Sequence, residues 1–168
     1  GSTFGGCVDL DVSANRRVVF ENCSNTVLRF RAGADVAVNG GSLRGWGNIK
    51  LQGDASAAIL NARVDIAIQD TQPVYEYWGA NSLVRFTNCD IYRAGSSSLF
   101  PRNVKYNGCT FFEEIRIDNS AAPEFTGCEF AKKVWLVDRT GGIFRDNIFH
   151  EPLWFTHAYR HSVTEDSL

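Results

Sequence analysis

The 168-residue chain contains no methionine, only 4 prolines, no long apolar run and no marked excess of either charge. Its net charge of -2 gives no basic surface, so no nucleic-acid partner is indicated. The apolar runs are too short for a transmembrane helix, and we expect no membrane partner. The chain also lacks a C-x-x-C pair, the close spacing typical of metal sites, so we expect no metal and no cofactor.

The chain begins with Gly1 and Ser2, as a chain does after tag removal, so residues 1–3 are interpreted as a tag remnant or leader. We expect the rest to be a piece of a longer protein or a processed mature form. Its hydrophobic content of 44% and charged content of 21% are those of an ordinary globular domain. We assign residues 4–157 to one domain, and residues 158–168, which lose the repeat described next, to a C-terminal cap or tail.

The five cysteines occupy one position, here called the slot, of a repeated unit. The unit has a large apolar residue three positions before the slot and a Gly or Asn directly before it. These segments are Phe4-Gly-Gly-Cys7, Phe20-Glu-Asn-Cys23, Phe86-Thr-Asn-Cys89, Tyr106-Asn-Gly-Cys109 and Phe125-Thr-Gly-Cys128. Three further segments carry another small residue in the slot: Val38-Asn-Gly-Gly41, Ile59-Leu-Asn-Ala62 and Phe144-Arg-Asp-Asn147. Successive slots are 16, 18, 21, 27, 20, 19 and 19 residues apart.

Each position of the unit has a physical interpretation. The large apolar residue points into a core. The Gly, Asn or Asp before the slot tolerates left-handed backbone angles and marks a bend that recurs on every coil. The residue two after the slot is again apolar in six units, which predicts an inward column in which the aromatic members stack ring on ring. Its members are Leu43, Val64, Ile91, Phe111, Phe130 and Phe149.

Short β-type runs flank each bend, and no stretch shows a long helical period. A repeat near 20 residues with such strands and bends indicates a β-solenoid, whose coils stack ~4.8 Å apart. We therefore predict an all-β fold, a single-stranded right-handed parallel β-helix of about eight short coils. Over residues 4–156, the Phe-x-Asn-Cys-x-Phe style of coil resembles the right-handed β-helix family of pectate lyases, polysaccharide epimerases and bacteriophage tailspikes.

That resemblance implies a polysaccharide as partner and a place outside the cell or on a virion surface, within a larger tailspike-like or secreted protein. If the domain is an enzyme, the resemblance implies a depolymerase, either a glycoside hydrolase or a lyase. No catalytic motif of the family can be placed on this sequence residue by residue. The alternative is a non-catalytic shaft that forms a homotrimer.

One corner of the solenoid offers candidate catalytic residues. Asp118 lies nine residues after its slot, and Asp138 and His157 each lie ten after theirs, directly after the second strand of the coil. Carboxylates on adjacent coils would be ~5 Å apart, the separation found in retaining glycosidases. Arg139 and Arg116 would bind an acidic sugar or neutralise this pair. Because Asp is also a natural turn residue, a hydrogen-bonded turn ladder is the alternative.

Two tryptophans form the clearest candidate binding surface. Trp135 and Trp154 each lie seven residues after their slots, at the outward position of the second strand, with Arg116 as the expected neighbour. Aromatic rings stack on sugars and charged side chains bind sugar hydroxyls or acids. Cover by the C-terminal tail or by another subunit is the alternative.

The longest coil, from Ala62 to Cys89, contains an aromatic stretch that is predicted to be a loop. Loops on rigid scaffolds commonly carry recognition. Its candidate sugar contacts are Tyr75, Glu76, Tyr77 and Trp78. A loop packed over one face of the solenoid is the alternative.

The cysteines and several charged residues are interpreted as structural. Free Cys behaves as a small apolar residue, so a buried column of thiols is favoured over a redox or metal site. Charges of opposite sign recur four and five residues after successive slots, and we expect them to pair between coils. These residues are Glu113, Lys132, Glu151, Glu114 and Lys133.

Overall fold

The computed structural model describes residues 7–10, 17–24, 27–30, 35–46, 56–67, 83–93, 104–117, 123–137, 142–156 and 163–164. The strands within these ranges are β1 (Cys7–Leu10), β2 (Arg17–Glu21), β3 (Val27–Phe30), β4 (Asp35–Asn39), β5 (Ser42–Trp46), β6 (Ser56–Leu60), β7 (Arg63–Ala67), β8 (Leu83–Thr87), β9 (Asp90–Arg93), β10 (Val104–Asn107), β11 (Thr110–Phe111), β12 (Ile115–Ile117), β13 (Glu124–Thr126), β14 (Glu129–Phe130), β15 (Val134–Val137), β16 (Gly142–Arg145), β17 (Ile148–Phe149), β18 (Leu153–Thr156) and β19 (Val163–Thr164). None of the described residues belongs to a helix long and apolar enough to cross a membrane.

The strands form parallel sheets that run along one axis. The first sheet has eight strands in the order β19-β16-β13-β10-β8-β6-β4-β2, and the second has six in the order β17-β14-β11-β9-β7-β5. The third has three in the order β12-β15-β18, and β1 pairs separately with β3. Three successive coils, 104–117, 123–137 and 142–156, contribute a strand to each of the first three sheets. The prediction of an all-β parallel solenoid is therefore confirmed, while the hand of its coils and their number along the whole chain stay predictions.

The recurring bend adopts the left-handed backbone that the repeat predicts. The residue before the slot has a positive φ in every described unit, between 51° and 70°, at Asn22, Gly40, Asn61, Asn88, Gly108, Gly127 and Asp146. The N–H groups of six bend residues, from Asn22 to Gly127, continue the ladder into the next coil, as from Asn88 to the Asn107 carbonyl at 2.9 Å. The bends are therefore in register along the solenoid, and they separate the first sheet from the second.

The core includes the two apolar columns that the repeat predicts, together with the inward residues of the third sheet. In the column before the bend, Phe125 stacks between Tyr106 and Phe144 at centroid distances of 5.1 and 4.9 Å. In the column after the bend, Phe111, Phe130 and Phe149 stack at 4.8 Å intervals. Edge-to-face contacts join the two columns, so the aromatic core is continuous across the last three full coils.

Charged side chains of opposite sign pair between neighbouring coils on the surface. Lys132 lies 3.7 Å from Glu151, as the charge pattern predicts. Lys105 and Glu124, which that pattern did not include, are in register and lie 2.7 Å apart. Pairs this exposed contribute about 0.2–1 kcal/mol each, so they favour one strand register more than they stabilise the fold.

The segment expected to be a cap or tail includes one strand. In β19, Val163 pairs with Gly142 and Thr164 pairs with Ile143, which adds a strand to the C-terminal end of the first sheet. The buried ring of Phe144 follows directly in β16.

Candidate functional site

The third sheet places the two candidate tryptophans and one arginine side by side. Arg116 in β12 pairs with Trp135 in β15, and Trp135 pairs with Trp154 in β18. Because Ile115 and Ile117 in β12 and Val134 and Leu136 in β15 are buried in the core, the residues between them project outward, and strand pairing places Trp154 beside Trp135. Arg116, Trp135 and Trp154 therefore lie in one row, which we call the outer row, while their assignment as binding residues stays a prediction.

The two indole rings of the outer row lie against each other. Their centroids are 5.2 Å apart and their planes are inclined by 33°. Trp154 is 44% exposed, whereas Trp135 is only partly exposed. Among the described strands β18 is the last of this sheet, so Trp154 has a described in-register neighbour on one side only, whereas Trp135 lies between Arg116 and Trp154.

Positive charge lies beside the aromatic rings. The ammonium of Lys133 lies 5.6 Å from the centroid of the Trp154 ring, within the range of a cation–π contact. Arg116 is exposed at the other end of the outer row. The surface thus combines an exposed aromatic ring with cations at its edge, and it can stack on an apolar face while it binds an oxygen or a carboxylate.

The proposed catalytic corner lies outside the described residues. Asp118, Asp138 and His157 each follow directly after the described part of a strand of the third sheet. Ile117 pairs with Leu136, and Val137 pairs with Thr156, so the strands that lead to this corner are in register. Arg139 and the aromatic loop residues Tyr75, Glu76, Tyr77 and Trp78 also lie outside the described residues. The assignment of these residues therefore stays a prediction.

The sequence reasoning missed a second outward aromatic stack. Tyr92 and Phe112 stack at 4.6 Å with an angle of 11°, and the guanidinium of Arg63 lies 3.8 Å from the Tyr92 centroid. Both rings lie three residues after their slots, on the outer side of the second sheet. The repeat could therefore have predicted this stack, because the two rings follow directly after Ile91 and Phe111 of the inward column.

The thiols of three successive slots are buried and bonded in a way that suits a structural role. Cys89, Cys109 and Cys128 are free and each 1% exposed, and each thiol donates to a backbone carbonyl, for example Cys89 to that of Thr87 at 3.3 Å. Interaction with the Cys128 thiol, together with burial, raises the pKa of Cys109 to about 11. Interaction with the Cys109 thiol and burial also raise the pKa of Cys89, whereas interaction with Cys109 lowers the pKa of Cys128. No group of three or more potential ligands that could hold a metal occurs within the described ranges.

Comparisons of this chain with protein-family models, with curated proteins and with solved structures return no match. The functional proposal below is therefore based on the sheets and side chains of the chain itself. Among them, the outer row with Lys133 is the described surface whose chemistry suits a ligand.

Proposed function

We propose that this domain recognises a polysaccharide through the outer row on its third sheet. The single observation that carries the proposal is the in-register pair of Trp135 and Trp154, one of them 44% exposed. A solvated indole ring at the end of a rigid sheet provides the apolar platform on which the C–H face of a sugar stacks. Lys133 and Arg116 flank that platform and supply donors for sugar hydroxyls or carboxylates.

The dimensions of the solenoid suit a polymer. Outward side chains recur with the strand spacing of ~4.8 Å along the axis, so a chain of sugars that follows the axis meets an equivalent position on each coil. A polymer that touches several coils gains affinity from each contact, whereas a single sugar gains it from one. We therefore expect binding to strengthen with the number of sugars.

The experiment measures retention of the domain on immobilised bacterial surface polysaccharides. We expect one polymer of the panel to retain the wild-type domain, and Trp154→Ala to weaken the retention at least about tenfold, the loss expected for about 1.4 kcal/mol of stacking. The control is Ile148→Ser, since Ile148 is 59% exposed and lies on the second sheet. Retention that is equally strong in Trp154→Ala and wild type would refute this face as the binding site.

Within this proposal, the domain belongs to a tailspike-like or secreted protein of the pectate-lyase-like β-helix type, located outside the cell or on a virion. Whether it also cleaves its polymer is tested by following polymer length during incubation. Shortening that Asp118→Asn or Asp138→Asn abolishes, with retention intact, assigns those carboxylates to a glycoside hydrolase or lyase. Shortening that survives both variants excludes that assignment.

A non-catalytic shaft is the second candidate, and one observation favours it. Of the four exposed large apolar side chains among the described residues, three, those of Ile148, Trp154 and Phe155, lie in the coil 142–156, and the fourth is Val19 in β2. Apolar side chains concentrated at one end suit an interface between subunits. Sedimentation decides between the two functions: a stable homotrimer in which Trp154 is protected from solvent favours the shaft, and a monomer with accessible Trp154 favours glycan binding.

A further inference from the structure

The indole nitrogen of Trp135 is buried without a hydrogen-bond partner, although the side chain belongs to the outer face. In the described part of the chain, Trp135 Nε1 is the one buried side-chain nitrogen or oxygen that has no hydrogen-bond partner. The buried amide of Asn147 shows the contrast, since its Oδ1 accepts from the Cys128 N–H at 2.8 Å and its Nδ2 donates to the Phe125 carbonyl at 3.2 Å. Buried indole N–H groups normally find an acceptor, and an unsatisfied one requires an explanation.

The position of this N–H supplies the explanation. Trp135 lies in the middle strand of the third sheet, against the ring of Trp154, which is 44% exposed and belongs to the last strand. Because both side chains project outward, a movement of the Trp154 ring away from Trp135 opens the contact between the two rings and leaves the core undisturbed. An acceptor that arrives from outside the molecule can then reach the N–H.

We infer that the indole N–H of Trp135 is a specificity-determining donor of the glycan site, and that it pairs with an oxygen acceptor of a bound sugar when the ring of Trp154 shifts. This inference rests on the proposed function, because it takes sugars to occupy the outer row. The acceptor is a hydroxyl or a carboxylate oxygen, and the nearby ammonium of Lys133 stabilises a carboxylate at this position.

A donor of this kind selects among sugars. A sugar that presents an acceptor satisfies the N–H, whereas one that lacks it leaves the N–H buried and unpaired. Stacking on Trp154 tolerates any sugar with an apolar face, because it depends on shape alone. Trp154 therefore contributes affinity, and Trp135 contributes the choice of sugar.

The test compares two substitutions that each keep an aromatic ring. Short oligosaccharides prepared from the polymer that retains the domain are titrated against wild type, Trp135→Phe and the control Trp154→Phe. We expect about a tenfold loss of affinity in Trp135→Phe, the loss expected for one hydrogen bond, and a smaller loss in Trp154→Phe. Affinity in Trp135→Phe equal to that of wild type overturns the inference.

The NMR resonance of the Trp135 indole proton gives a second readout that does not depend on substitution. We expect a downfield shift as the oligosaccharide saturates the domain, because the proton gains an acceptor. A resonance that stays in place at saturation overturns the inference. For an acidic polymer, loss of the shift after reduction of its carboxyl groups identifies a carboxylate acceptor, and a retained shift identifies a hydroxyl.

The two proposals fail in different ways. If the polymer is retained equally well by Trp154→Ala and wild type, the proposed binding face is wrong and this inference fails with it. If retention depends on Trp154 while Trp135→Phe and the indole proton show no effect, only the assignment of the Trp135 N–H is wrong.

Discussion

At the scale of single residues, Gly41 shows how closely neighbouring coils approach. It has a φ of 76°, and a Cβ at this position would lie 2.0 Å from the Cys23 carbonyl oxygen. Gly127, which lies in the bend directly before its slot, has a φ of 59° and no atom beyond its chain neighbours within 4 Å of its virtual Cβ. At Gly41 both the backbone and the space exclude a side chain, whereas at Gly127 only the left-handed backbone disfavours one, and Asn or Asp adopts that backbone in other coils.

We expect these two glycines to differ in their tolerance of alanine. Gly127→Ala should cost about 1–2 kcal/mol of unfolding free energy, the penalty for a left-handed non-glycine residue. Gly41→Ala should cost more, because the coils must also move apart. Denaturant unfolding of both variants measures the difference, and equal losses would contradict the close approach at Gly41.

The buried thiols are expected to report on unfolding. Cys89, Cys109 and Cys128 are each 1% exposed, and a reagent reaches them only when the coils separate. We expect thiol-specific labelling of these three to increase in parallel with global unfolding as denaturant is raised, with mass spectrometry identifying each site. Fast labelling of any of the three in the native domain would show a local opening.

At the scale of strands and columns, the aromatic core concentrates stability in a few coils. Phe125 is fully buried and touches rings on both sides and in the opposite column. We expect Phe125→Ala to cost about 3–5 kcal/mol and Phe125→Leu, which retains most of the volume, much less. Denaturant unfolding measures both, and a loss below about 1 kcal/mol in Phe125→Ala would contradict the packing described here.

The columns could be predicted from the sequence because each coil repeats the same local chemistry. Asn88 and Asp146 adopt a positive φ for a reason that is visible in the residue type, and Phe111 and Phe130 stack because their spacing from the slot is equal. Contacts that cross coils at a single place could not be predicted. The buried amide of Asn147, which satisfies the backbone of the preceding coil, depends on the orientation of one side chain, which the spacing of the repeat does not specify.

At the candidate site, too, the positions of residues could be predicted from the repeat, whereas individual atomic contacts could not. The equal spacing of Trp135 and Trp154 from their slots predicted that they would be neighbours, since strand register follows from that spacing. The unsatisfied Nε1 of Trp135 had no counterpart in the sequence, because it depends on which atoms exclude solvent from the ring. Tyr92 and Phe112 were within reach of the same reasoning and were missed.

At the scale of the whole molecule, each coil contacts its immediate neighbours, so stability is expected to vary along the axis. The rings in the two coils from β10 to β15 are well buried, whereas coil 142–156 carries the exposed side chains of Ile148, Trp154 and Phe155. We therefore expect native-state hydrogen exchange to be slowest in the backbone amides of β10 to β15 and faster in β17 and β18. Ligand at the outer row bridges β15 and β18, so a bound oligosaccharide should slow exchange in β18 more than in β10. Uniform protection along the axis would contradict the view of the solenoid as a stack of separately stable coils, and slowing confined to β10 would contradict the position of the site.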